Sequence, residues 1–125
     1  MKKLLFALLL LTSPVSFAQE AKGVIEAIKI CGTGARGYNN NGVDWARTLQ
    51  FKVDGRWFGT YADYYGSPND NDNNISTSLV FMAYSQKLPL HIKATDAWHN
   101  HMKKCGVSEG AIFQRNAGDF ISIGE

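Results

Sequence analysis

Hydrophobic and polar positions along this chain change period several times, and each change marks an element. Residues 48–53, TLQFKV, alternate strictly, with Leu49, Phe51 and Val53 on one face and Thr48, Gln50 and Lys52 on the other. That is the pattern of a strand with one face buried and the second facing water. Asp54-Gly55 is a two-residue signal for a type I′ hairpin turn, and residues 56–61, RWFGTY, return as the partner strand. Upstream, residues 23–31, GVIEAIKIC, place Val24, Ile28 and Ile30 on one face and Ile25, Ala27 and Cys31 on the other. Apolar residues on both faces predict a strand covered on both sides or set at a subunit contact. Residues 75–86 switch to helical spacing, with a predicted inward stripe of Ile75, Leu79, Met82 and Ala83 and with Val80 beside it. Pro89 ends that helix. Residues 90–95 alternate again, Leu90, Ile92 and Ala94 inward, and 110–114 and 119–123 give two short strands around a turn at 115–118.

The order is β, β-hairpin, α, β, β, β, an α+β arrangement that is mainly β. An OB-fold carries a helix between its third and fourth strands, and the hairpin, helix and following strand fall where that fold needs them. The expectation is therefore a five- to six-stranded antiparallel barrel with one helix, of a fold that binds oligosaccharides and oligonucleotides. The competing architecture is an open antiparallel sheet with one helix packed on a face.

The first residues change this picture. Lys2 and Lys3 precede an apolar run, Leu4 to Leu11, that breaks at Thr12-Ser13-Pro14, and Ser16-Phe17-Ala18 has the small-x-small form of a cleavage site. This reads as a secretory signal peptide over residues 1–18, leaving a single domain at 19–125 in a secreted protein that passes through the periplasm. No later run is long enough to span a bilayer. Without Lys2 and Lys3, basic and acidic residues are equal in number, which argues against a nucleic-acid partner. In an exported chain the two cysteines, Cys31 and Cys105, read as one disulfide. Closing so long a loop is worth about 4 kcal/mol, which matters to a mature chain of about 107 residues with a modest core.

Two polar loops invite and then resist motif readings. Gly32, Gly34 and Gly37 fit the G-x-G-x-x-G spacing, but the asparagines 39–41 follow where an apolar helix should begin, so the context rejects a dinucleotide site. Asp70, Asp72 and Asn74 imitate the opening of a calcium loop, but Ile75 stands where Gly is needed and Phe81 where the closing Glu belongs. That excludes an EF-hand and leaves an irregular calcium site or a helix cap. No metal or other cofactor is assigned. His91, His99 and His101 with Lys103 and Lys104 raise the idea of a small nuclease, but no nucleophile elbow, HExxH or GK[ST] motif accompanies them; the chain is read as a binding protein and not an enzyme.

Trp98 is the leading candidate for recognition, because a flat apolar ring suits the C–H face of a pyranose. His99, Asn100 and His101 would supply the polar partners. The competing role for Trp98 is a packing aromatic in the core or against the disulfide. Tyr64 and Tyr65, paired on a loop, suit recognition or plugging of a barrel mouth. Trp45 and Trp57, at or beside strands, read as core.

The stretch LVFMAYSQKLPLHIKATDAWHN resembles the helix–strand–Trp segment of the B subunits of AB5 bacterial toxins, the cholera and heat-labile enterotoxin kind. The closing FISIGE is similar to their last strand, and the opening KGVIEAIKI to the first strand of subtilase-cytotoxin-like B subunits. The likeness covers about half of the mature chain, through short motifs. It implies a homopentameric ring that binds a cell-surface glycan and can carry a catalytic A subunit. It also implies that Trp98 stacks on a sugar and that Asn100 bonds to it. The serine that contacts sialic acid in the subtilase-cytotoxin-like branch falls at Lys22 here, so that contact does not carry over. The alternative function is a secreted or periplasmic protein-binding module, such as an enzyme inhibitor.

Overall fold

The computed structural model of the chain describes residues 19–32, 46–64, 74–113 and 116–124. The expected signal peptide, the glycine-rich loop and most of the Asp70/Asp72/Asn74 loop lie outside these residues, as do Trp45 and Tyr65. Among the described residues, eight short strands and one α-helix form a mixed α+β structure. They are β1 (Gln19–Gly23), β2 (Ile25–Gly32), β3 (Ala46–Val53), β4 (Arg56–Tyr64), α1 (Asn74–Gln86), β5 (Leu90–Ala94), β6 (Asp96–Ala97), β7 (Ala111–Ile112) and β8 (Phe120–Ile123). A 3-10 helix, Asn100–Cys105, lies between β6 and β7.

The strands fall into two sheets, one ordered β1-β5-β8 and the other β2-β3-β4-β7-β6. Single residues, Val24 and Thr95, join β1 to β2 and β5 to β6, so two bent strands pass from sheet to sheet. β7 and β8 run antiparallel to β6 and β5 respectively, and so lie along a third bent path. Every pair is antiparallel except β4–β7, which is parallel, a departure from the all-antiparallel expectation. The count of strands exceeds the expected five or six because bends divide the long ones.

The expected hairpin, its turn and the inward face of β3 are present. Asp54 and Gly55 have φ of 50° and 73°, as a type I′ turn requires, and Gly55 N donates to Glu26 Oε1 at 2.8 Å. Leu49, Phe51 and Val53 are buried together with Phe58, Ala111, Leu90, Ile92 and Ala94, so the inner faces of both sheets share one core. Phe51 and Phe58 stack with ring centroids 6.0 Å apart at its centre.

Helix α1 closes this core with Val80 and Ala83, both expected to face inward, and buries Thr77 as well, with Leu79 half-buried; the expected stripe fails at Ile75 and Met82. Ile75 is 81% exposed and Met82 42%. The helix carries no charged residue, so nothing polar enough marked its solvent face in the sequence. It ends in a Schellman motif, with Leu88 N donating to Ala83 O and Lys87 N to Tyr84 O, and with Lys87 at φ 54° where glycine is usual.

Thr48 and Gln50 were expected to face water; both are fully buried. The chain from Trp98 to Val107 lies over them. Cys31 in β2 is bonded to Cys105 at the end of the 3-10 helix, with Cα atoms 5.9 Å apart and a sequence separation of 74. Thr48 Oγ1 donates to Cys31 O at 3.3 Å, and Gln50 Nε2 to Met102 O at 2.9 Å. A Cys31→Ser/Cys105→Ser double variant is expected to lose about 4 kcal/mol of stability, read as a lowered urea midpoint against the oxidised parent.

Candidate functional site

Trp98 follows β6 directly and lies half-buried on the outer face of the five-stranded sheet. Two glycines make its seat. A Cβ at Gly59 would stand 2.9 Å from the ring, and one at Gly110 would stand 2.9 Å from the ring and 2.7 Å from the Trp57 carbonyl oxygen. The indole N–H donates to Val107 O at 3.0 Å. Around the ring stand Tyr61, Met102 and Ile112, a second apolar cluster on the side of the sheet opposite the main core. These contacts are those of the packing role, and the ring's partial exposure leaves only part of it to solvent.

His99 stands beside this cluster. Its Nδ1 is 2.7 Å from Tyr61 Oη, with the ring centroids 6.0 Å apart. Tyr61 is 5% exposed, so the pair reaches from the interior to the loop. Asn100, the first residue of the 3-10 helix, is exposed. Lys103 and Lys104 lie in the last turn of that helix, where cations suit the carbonyl end. Lys29 Nζ donates to Cys105 O at 3.1 Å and sits 5.3 Å from the centroid of the Trp57 ring. Trp57 is thus half-buried under a surface cation, not enclosed in the core.

The structure therefore brings Trp98, His99 and Asn100 to one place, next to β4. Tyr64 is the last residue of β4, and its side chain, like that of His101, lies outside the described residues. The reading from sequence missed Tyr61. Its signal was present in the alternation of β4, since Trp57, Gly59 and Tyr61 share a face and Gly59 leaves room for a ring. Among the described residues no group of three or more His, Cys, Asp or Glu side chains could hold a metal ion.

A second polar surface lies on the outer face of the β1-β5-β8 sheet. Lys22 faces His91 and His91 faces Ser122 across the strand pairs, while Glu20, Lys93 and Phe120 form the next row. His91 Nε2 is 2.8 Å from Glu20 Oε2, and its ring meets Phe120 edge to face at 4.7 Å. Thr95, at the bend between β5 and β6, donates through Oγ1 to Asp119 at 2.9 Å and accepts from Asn116 Nδ2 at 2.7 Å. This fixes the corner from which the Trp98 loop departs.

Comparison with protein-family models, with curated proteins and with solved structures finds no match to this chain. No helix among the described residues is long and apolar enough to cross a membrane.

The glycine seat gives a direct test of what Trp98 does for the fold. Trp98→Ala is expected to cost about 3–5 kcal/mol by emptying the second cluster, and Gly110→Ala about 1–3 kcal/mol by overpacking it. Urea denaturation of the purified variants measures both; a Trp98→Ala protein as stable as the parent would contradict the packing role.

Proposed function

We propose that this chain is a secreted, glycan-binding B subunit of the AB5 kind, an OB-fold barrel that assembles as a homopentamer. The observation that carries the reading is the circuit of strand pairs. With bent strands counted whole, β1–β2 pairs with β3, β3 with β4, β4 with β7–β8, β7–β8 with β5–β6, and β5–β6 with β1–β2 again. Five long strands closed on themselves, with a helix after the third, match the layout of an OB-fold barrel.

Assembly is supported by what the single chain leaves exposed. Ile75, Phe81, Met82 and Tyr84 on the charge-free helix, Ile30 on β2 and Val24 just before it are large apolar side chains at 42% exposure or more. β2 is also an edge of its sheet. A partner strand or helix would remove both liabilities. The disulfide suits an oxidising compartment.

Recognition would use the exposed Asn100 and the rim of His99 and Trp98 against sugar hydroxyls, with Tyr64, Tyr65 and His101 as further contacts. Each site is weak and five together give avidity. A catalytic A subunit is the further partner this reading allows. The competing function, an inhibitor-like protein-binding module, requires no ring.

Light scattering on the exported protein separates the two. A mass near five chains is expected, with Phe81→Glu returning it to one chain and leaving the core intact; a parent protein of single-chain mass overturns the pentamer. On a glycan array, Asn100→Ala is expected to weaken binding by about tenfold or more, a lost hydrogen bond multiplied over the sites. Undiminished binding removes Asn100 from the site.

A further inference from the structure

We infer that the exported chain carries a pyroglutamate at its amino terminus, formed from Gln19. The inference rests on the export reading, in which cleavage follows Ala18. Gln19 then becomes the first residue of the protein, and it is also the first residue of β1, paired with Ala94 at the end of β5.

The reaction needs only atoms that Gln19 supplies. The α-amino nitrogen attacks the side-chain carbonyl carbon Cδ, and a new C–N bond closes a five-membered lactam. The Cδ–Nε2 bond breaks, and ammonia leaves with a proton taken from the attacking amine. No oxidant, reductant or second substrate enters.

Three features of the site favour this outcome. The amine must be neutral to attack, and Arg56 Nη1 donates to Glu20 O at 2.7 Å, which holds a guanidinium one residue away and disfavours a second positive charge. Lys93, opposite Glu20 across the β1–β5 pair, adds to the same field. The Glu20 carboxylate that could have steadied an ammonium is engaged by His91 at 2.8 Å. Finally, Gln19 Oε1 is buried and accepts no hydrogen bond from the described residues, and the lactam retains this carbonyl oxygen, so no accepted bond is at stake in the conversion.

The consequence is protection of an edge. β1 pairs on one side only, with β5, and its free end is where an aminopeptidase would begin. Stripping β1 would withdraw Ala21 from the core, Glu20 from His91 and the carbonyl that Arg56 holds. A lactam presents no free amine to such an enzyme, and it places no charge beside the half-buried first residue.

Intact-mass spectrometry of the full chain after export tests this. The expected mass is that of residues 19–125 with the disulfide closed, less one ammonia. Edman degradation should be blocked until pyroglutamyl aminopeptidase removes the first residue. Gln19→Glu keeps the strand and the length of the side chain, and should show no loss of ammonia and an open terminus. A folded protein that retains the whole of Gln19 after storage in neutral buffer, under conditions where its heat-unfolded sample cyclises, overturns the inference with export intact. An intact leader, or cleavage at another bond, overturns both, and the mass distinguishes these failures.

Discussion

Strand β3 is buried on both faces, and the rest of the molecule is arranged to make that possible. Leu49, Phe51 and Val53 point into the core shared by the two sheets and the helix, while Thr48 and Gln50 are fully buried on the opposite side. Polar groups so enclosed need partners. Thr48 finds the Cys31 carbonyl and the Gln50 NH2 group the Met102 carbonyl, while Gln50 Oε1 accepts no hydrogen bond from the described residues. The chain between Trp98 and Val107 therefore does more than connect β6 to β7. It supplies the acceptor for Gln50, Trp98 and Met102 of the second apolar cluster, and one half of the disulfide. About 1 kcal/mol is the net worth of each of these hydrogen bonds, but leaving the Gln50 amide unpaired would cost about 1–3 kcal/mol. The covering segment is thus held by what it covers.

That segment also decides which residues can meet a ligand. Trp98 is committed to Gly59, Gly110 and Val107, and Met102 to the sheet. His99 is tied to Tyr61 through one ring nitrogen. A polar surface whose side chains are oriented by a packed layer beneath them loses little conformational freedom on binding. In this arrangement the tryptophan fixes the loop, and on the proposed glycan-binding reading that would be its contribution to recognition. Asn100 stands at the start of the 3-10 helix with its side chain in solvent, supported by that fixed base.

How much of this was legible in the sequence depends on whether a local pattern decided the structure. The β3–β4 hairpin was legible because alternation and the Asp54-Gly55 turn are both local signals, and they agree. The inward faces of β5 and the pairing of the cysteines were legible for the same kind of reason. The helix was legible as an element but not in its orientation, since Ile75, Val80, Phe81 and Met82 surround it and no charged residue marks a solvent side. The second layer over Thr48 and Gln50 could not be seen, because it depends on a contact between β3 and a segment some fifty residues later. The short β6 and the parallel β4–β7 pair were hidden likewise. Trp98 shows the limit most clearly. A tryptophan in a polar loop has the same sequence signature whether it stacks on a ligand or on two glycines, and only the distant Gly59 distinguishes them.

The unresolved tension is between the inside of this molecule and its outside. The inside holds one core, a smaller cluster behind it and a disulfide that joins β2 to the 3-10 helix. The outside carries Ile30 on an edge strand and Ile75, Phe81 and Met82 on a helix. Scattered apolar side chains are ordinary on protein surfaces. These are concentrated on two elements that touch each other, α1 and β2, and one of them has unpaired backbone along its edge. The helix mixes apolar with uncharged polar residues, and the single chain buries only the side that Thr77, Val80 and Ala83 occupy. The physical pressure is therefore toward another surface on the far side of α1. Because every chain carries the same exposed face and the same open edge, a copy of itself supplies such a surface without any further partner.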